Sequence, residues 1–121
     1  MAPMPPIVRT AFEDELRAAN DAADLDAMWR ALERAHILSQ PWPWPHTRSH
    51  WHMLRLALRC HDRREAIGQL IRLSGAGLGS ALGRVPIGNT GRTAVGIMTP
   101  MPIPPDLASI LEAGRGETAR T

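Results

Sequence analysis

Apolar residues recur at helical spacing through the first 74 positions of the chain. Leu25, Trp29, Leu32 and His36 follow one another at intervals of four, three and four residues, which places them on one stripe of a helix. Applied along the chain together with capping and breaking residues, the same reasoning predicts four helices. They cover residues 10–20, 24–38, 45–60 and 62–74.

Helix starts are marked by short polar side chains that can accept a hydrogen bond from the first turn. Thr10 with Glu13 three positions later matches a capping box at the start of the first helix. Asp24 is predicted to cap the second helix, and Asp62, followed by Glu65, the fourth.

Proline and glycine mark the helix ends. The segment 39–45 (SQPWPWP) contains three alternating prolines and is predicted to form an extended bend, with Pro45 in the first turn of the third helix. A cluster of glycines is predicted to end the fourth helix. These are Gly75, Gly77, Gly79 and Gly83.

The remainder of the chain is poor in helical patterning until its end. Residues 84–105 are predicted to run extended and to wrap over the helices, before a short helix over 106–113. The domain organisation expected is a single helical domain over 10–113, a flexible segment over 1–9 and a frayed tail over 114–121.

The two helix pairs carry an internal repeat. Residues 24–32 (DLDAMWRAL) correspond to 62–70 (DRREAIGQL), and each segment opens the second helix of a hairpin. The offset of about 38 residues is close to the tetratricopeptide period of about 34 residues plus the proline-rich insert. The fold class predicted is all-α, a tetratricopeptide-like pair of helical hairpins with an extended C-terminal wrap that caps the short stack.

Composition excludes several chemistries. The chain of 121 residues has neither Lys nor Tyr, so it offers no Schiff-base lysine, no P-loop lysine and no phenolic acid or base. Its one cysteine, Cys60, permits neither an internal disulfide nor a CxxC pair, and we expect a buried, inert thiol. The uncharged stretches are too short to span a bilayer, so a cytoplasmic location without membrane contact is expected.

The charges are segregated although the net charge is only +2. Residues 10–33 carry a net −5, and residues 34–92 carry +7, all of it from Arg. Stacking aromatics do not accompany the arginines, which weighs against nucleic acid as a ligand. A protein partner or a homo-oligomer is compatible with this pattern.

Histidines on two neighbouring helices carry the main functional hypothesis. Glu33 and His36 lie at i, i+3 near the end of the second helix, and His46 and His50 lie at i, i+4 at the start of the third. A short turn makes these helices antiparallel neighbours, so the two pairs can converge. Nitrogen and carboxylate ligands of this kind suit Zn, Fe, Mn or Cu.

Other residues allow both functional and structural interpretations. Met53 continues the face of His46 and His50. As a metal ligand its thioether would favour copper, but Met at helical spacing also fills cores. His52 points about 160° away from His50 on a helix. Trp42 and Trp44 either pack the turn against the core or present a recognition surface.

Several motifs together resemble a small bacterial family known as domain of unknown function 3703. They are residues 33–40 (ERAHILSQ), His46-x-x-x-His50, Met53-Leu54, Gly68-Gln69, residues 86–91 (PIGNTG) and residues 100–104 (PMPIP). The resemblance covers about residues 8–111 and implies a compact bacterial protein, with no established activity. The family's recurrent polar residues match Glu33, His36, His46 and His50, together with Asn89 and Thr90, whose loop would close over the site. The Trp-Pro-Trp-Pro turn departs from the family pattern.

The leading hypothesis is therefore a first-row transition-metal site built from His36, His46 and His50, with Glu33 as fourth ligand or as a hydrogen-bond acceptor. The sequence leaves open whether such a site is catalytic or structural. The alternative is a tetratricopeptide-like adaptor that binds an acidic protein partner through an Arg-rich face, with the histidines serving structure. A metal-free enzyme with a histidine general base and substrate contacts from Asn89 and Thr90 is a third hypothesis.

Overall fold

The structure, a computed structural model, describes residues 3–81, 90–92 and 100–120. Within these ranges the chain forms five helices and no strand, which confirms the predicted all-α class. The helices are α1 (Pro6–Asp21), α2 (Leu25–Ser39), α3 (Pro43–Arg59), α4 (Arg63–Ala81) and α5 (Pro105–Arg120). None of the helices in the described part of the chain has the length and apolarity needed to cross a membrane.

Two antiparallel pairs and a C-terminal helix form the architecture. α1 packs on α2, α3 packs on α4, α2 joins the pairs by packing on α3, and α5 covers α1 and α2. The core lies between these layers and includes Phe12, Leu38, Met53 and Leu107, each almost fully buried. Burial of each such side chain stabilises the fold by about 1.5–3 kcal/mol. The tetratricopeptide-like superposition of the two pairs stays a prediction.

The turn between α2 and α3 is shorter than the proline pattern predicts. Only Gln40, Pro41 and Trp42 lie between the helices, and α3 begins at Pro43. Proline fits the first helical turn because the amides there have no intrahelical partner. Trp42 is half-buried against the core, as the packing interpretation predicts. Trp44 is 70% exposed, as a residue on a surface would be.

Two helix starts agree with the predicted caps and one does not. The Asp24 carboxylate accepts the Ala27 amide at 2.8 Å, and the Asp62 carboxylate accepts the Glu65 amide at 3.0 Å. The predicted Thr10 cap is wrong, because α1 already begins at Pro6. A proline at N1 needs no amide partner and sets a helical φ, so the helix can start four residues earlier.

Both C-terminal helices extend beyond their predicted ends. α4 continues past Gly75, Gly77 and Gly79 to Ala81, so the glycine cluster does not end the helix, although each glycine in a helix interior costs about 1 kcal/mol relative to alanine. α5 continues to Arg120 rather than to residue 113, because its last turns pack on α1: Gly114 lies against Val8, and Glu117 Oε1 accepts the Ile7 amide at 3.0 Å. Most of the predicted wrap over 84–105 lies outside the described residues. Of its described parts, Ile103 packs against the core.

A glycine-free turn joins α3 to α4. The Cys60 thiol is exposed here, contrary to the buried thiol expected from sequence, because the helix ends one residue earlier. His61 adopts a left-handed conformation with φ 55°, its amide donates to Leu58 O at 3.2 Å, and the Asp62 amide donates to Ala57 O at 2.9 Å. This pattern is a Schellman motif with histidine in the position where glycine is usual.

Candidate metal centre

Three imidazoles converge where the end of α2 meets the start of α3. His36 lies in the last turn of α2, and His46 and His50 lie one turn apart on α3. Nε2 of His36 is 3.0 Å from Nε2 of His46 and 3.1 Å from Nε2 of His50. The three side chains, called the histidine triad below, are only 3–6% exposed.

The spacing of these nitrogens fits a single metal ion. One ligand nitrogen from each triad residue lies within 4.8 Å of the other two. Two imidazole nitrogens bonded to one Zn²⁺ at about 2.0–2.1 Å lie about 2.9–3.4 Å apart when the bonds diverge by about 90–110°. The two Nε2 separations measured from His36 fall inside that range, so His36 is spaced from both His46 and His50 as two ligands of one ion would be.

Gln69 fixes the tautomer of His50. Its Oε1 lies 2.7 Å from Nδ1 of His50, and an amide oxygen can only accept, so Nδ1 carries the hydrogen. The Gln69 amide is itself oriented, because its Nε2 donates to Glu65 Oε2 at 2.8 Å and to the Gly91 carbonyl at 2.7 Å. Neutral His50 therefore presents a bare Nε2 lone pair to the centre of the triad.

Burial keeps His50 neutral. Removal from water, assisted by the nearby Arg72, lowers the pKa of His50 to about 4 against the opposing effects of Gln69 and Glu65. Nε2 of His36 either donates or accepts, so a neutral triad can place at most one shared hydrogen among its three inner nitrogens. A cation at the common point would engage all three lone pairs.

A second layer of ionic contacts surrounds Gln69. Arg92 donates from Nε to Glu65 Oε1 at 2.6 Å and from Nη1 to Glu33 Oε1 at 3.3 Å. Its guanidinium also stacks 3.7 Å from the ring centroid of Trp29. Arg92 thereby ties the described segment 90–92 to both α2 and α4, beside the triad.

Gly91 forms one wall of the centre. Its φ is +85°, and a Cβ built there would lie 2.7 Å from Cδ2 of His36. Only glycine allows the backbone to lie this close to the imidazole and keep this φ.

The structure brings together three of the four predicted ligands. Glu33 lies outside the triad and instead forms the ion pair with Arg92; burial raises its pKa, and Arg92 opposes that rise. Met53 is fully buried within the apolar core cluster. Thr90 precedes the wall glycine and is half-buried, while Asn89 lies outside the described residues.

Sequence reasoning did not assign four residues around the triad to the site: Gln69, Glu65, Gly91 and Arg92. Gln69 and Gly91 appeared there only within motifs that carry the family resemblance. A usable signal existed on α4, where polar Glu65, Gln69 and Arg72 at i, i+4 and i+7 occupy the buried side of the helix. Ile67, Leu70 and Ile71 are exposed on the same helix. A helix whose buried side is polar needs partners for those groups, and here Gln69 finds His50 as one of them.

Fold and site together define a helical protein with a buried histidine cluster at a helix–turn–helix junction. The family whose profile matches residues 7–111 is described as protein of unknown function (DUF3703), and the chain belongs to that family. No curated protein and no solved structure matches the chain.

Proposed function

We propose that this protein binds one first-row transition-metal ion through Nε2 of His36, His46 and His50. The observation that carries the proposal is the convergence of three buried imidazole nitrogens, one of them held in the metal-binding tautomer by Gln69. A metal ion at the point between them would take the place of the hydrogen bonds that the imidazoles form with one another.

The donor set favours some metals over others. Three imidazoles without a carboxylate suit Zn²⁺, Cu²⁺ or Fe²⁺ better than Mn²⁺, which prefers oxygen. Three protein ligands on a tetrahedral ion leave a fourth position for water or a small molecule, as in catalytic zinc sites. A water held there would become more acidic, which is the chemistry the metal would supply. We place the protein in the cytoplasm, where an exposed free Cys60 stays reduced.

Elemental analysis of untagged protein tests the proposal. We expect close to one equivalent of metal per chain after purification or after titration with Zn²⁺ and dialysis. His46→Ala should lose that metal, whereas His61→Gly, which changes an exposed histidine at the far end of α3, should keep it. Failure of the wild-type protein to retain any of Zn²⁺, Cu²⁺ or Fe²⁺ against a weak chelator would refute the proposal.

An adaptor function is a second candidate, favoured by the exposed apolar side chains of the α3–α4 hairpin. Trp44, Trp51 and Leu58 recur every seven residues on α3 and are at least half exposed. Arg63 and Arg64 are also exposed, at the start of α4. This function predicts a salt-sensitive complex with an acidic protein that forms equally well with metal-free protein.

A further inference from the structure

A groove of about 350 Å³ lies on the side of α3 away from the triad, between α1, α2 and α3. Its volume is that of roughly a dozen water molecules at about 30 Å³ each, at the lower end of the range for small-molecule pockets. Every residue that lines it belongs to the described part of the chain. The metal proposal uses none of them.

The floor of the groove is apolar. Leu16 from α1, Leu32 from α2 and Leu56 from α3 are buried beneath it, and Met28 from α2 is half-buried beside them. Such a floor offers favourable transfer free energy to hydrocarbon, about 25 cal/mol for each Å² of apolar surface removed from water. A bare inorganic anion would gain nothing from it.

One wall of the groove is cationic and follows a helical face. Arg48, His52, Arg55 and Arg59 occupy positions i, i+4, i+7 and i+11 of α3, so their side chains share one side of the helix. Arg17 contributes from α1.

The cationic wall is only partly neutralised by the protein. Arg48 binds Glu13 at 2.7 Å, and Arg17 binds Asp14 on its own helix. Neither Arg55 nor Arg59 has a carboxylate partner among the residues that the structure describes. Burial lowers the pKa of His52, and Arg48 and Arg55 lower it further, so this imidazole is neutral near pH 7 and faces the two arginines.

We propose that this groove binds a small amphipathic anion, a carboxylate or phosphate monoester that carries a short hydrocarbon chain or ring. The headgroup is recognised by Arg55 and Arg59, whose planar guanidinium groups match carboxylate and phosphate oxygens. His52 donates its one ring N–H to the same headgroup. The hydrocarbon lies on Leu16, Met28, Leu32 and Leu56.

Binding of eight-carbon probes tests this assignment. Octanoate and octyl phosphate should each give saturable one-site binding by calorimetry, and the tighter of the two identifies the preferred headgroup. Octanol should bind at least ten-fold more weakly, octyltrimethylammonium not at all, and acetate far more weakly than octanoate. Octanol binding as tightly as both anions, or no saturable binding of either anion, would overturn the proposal.

Matched charge variants locate the site. Arg55→Gln with Arg59→Gln should weaken binding of the preferred probe at least ten-fold, since the headgroup then loses its charged hydrogen-bond donors. Arg63→Gln with Arg64→Gln removes the same charge from exposed positions outside the groove and should leave the affinity within about two-fold. Equal losses of affinity in the two double variants would show that net charge alone attracts the probe. That result would refute specific recognition by Arg55 and Arg59.

Two further readouts separate this proposal from the metal proposal. His46→Ala should retain probe binding whether or not it holds metal, so the two proposals fail independently. Histidine NMR should show the His52 pKa rising when the preferred probe binds. The bound anion, like Glu13, stabilises the protonated imidazole and opposes the effect of Arg48 and Arg55. An unchanged His52 pKa at saturation would place the probe elsewhere and contradict the assignment.

Discussion

The side-chain oxygen of Gln69 accepts the Nδ1 hydrogen of His50 at 2.7 Å, and this contact determines which nitrogen of His50 faces the triad. Gln69 comes from α4, whereas all three triad histidines come from α2 and α3. α4 contributes no proposed ligand, yet through Gln69 it determines the tautomer of His50.

Gln69→Leu removes this control at nearly constant volume. We expect the affinity for Zn²⁺ to fall about 10- to 100-fold, the usual cost of losing a partner that orients a ligand. Competition with a fluorescent chelator measures the affinity, and nitrogen NMR of metal-free protein reports the His50 tautomer. The matched variant Ile71→Ala, at an exposed position on α4, should change neither. If Gln69→Leu binds Zn²⁺ like the wild type, Gln69 only fills space.

Gly91→Ala tests the close approach of the backbone to His36. We expect the free energy of unfolding to fall by about 1–3 kcal/mol, because the methyl group meets the imidazole and the positive φ is strained. Metal retention should fall with it as His36 is displaced. Urea unfolding and metal analysis measure the two effects.

A second glycine provides the control for this substitution. Gly75 lies inside α4 with nothing within 4 Å of a built Cβ, so Gly75→Ala should raise the free energy of unfolding by about 0.5–1 kcal/mol. Effects of opposite sign in the two variants are the expected pattern. If Gly91→Ala left the free energy of unfolding unchanged, residues 90–92 would not press on the triad.

The stability of chelator-treated protein should depend on pH between about 4 and 6.5. His50 has its pKa lowered to about 4 by burial and regains a pKa of about 6.5 on unfolding, so the unfolded chain binds more protons in this window. The contribution of neutral His50 to the free energy of unfolding is complete above pH 6.5 and is lost as the pH falls toward 4. A difference of about 2.5 between the folded and unfolded pKa values, at about 1.4 kcal/mol for each pKa unit, gives a loss of about 3–4 kcal/mol.

Urea unfolding of the wild type and of His50→Gln at several pH values isolates this contribution. The difference between the two proteins should shrink as the pH falls, while carboxylate titration affects both alike. A difference that stays constant from pH 7 to pH 4.5 would mean that His50 titrates normally in the folded protein.

The turn between α3 and α4 offers a stabilising substitution. His61 occupies the left-handed position of the Schellman motif, where a residue with a Cβ costs about 1–2 kcal/mol relative to the right-handed region. His61→Gly should raise the free energy of unfolding by about 0.5–1 kcal/mol after the greater entropy of unfolded glycine is included. His61→Ala keeps the Cβ and should give no gain. Thermal unfolding of the two variants makes the comparison.

Local patterns predicted the helices and the convergence of the triad, because both depend on contacts within about one helical turn or across one short loop. The Asp24 and Asp62 caps belong to the same class of information. Glu33 illustrates what could not be predicted. Its carboxylate lies on α2 one turn before His36, yet its partner is Arg92, 59 positions later. Similarly, the flexible segment predicted over 1–9 and the frayed tail predicted over 114–121 did not allow for the packing of α1 on α5.

The order in which the metal centre can be completed follows from its chain positions. His36 and His50 are only 14 residues apart, so a short loop closure brings every proposed ligand together. The wall at Gly91 arrives 22 positions after Gln69 in the chain. If the protein binds metal as proposed, the α2–α3 junction would be able to take up the ion during synthesis while still open to the solvent, and residues 90–92 would enclose it afterwards. An ion loaded in this sequence would be released slowly, since its exit requires the later contacts of Arg92 with α2 and α4 to break first.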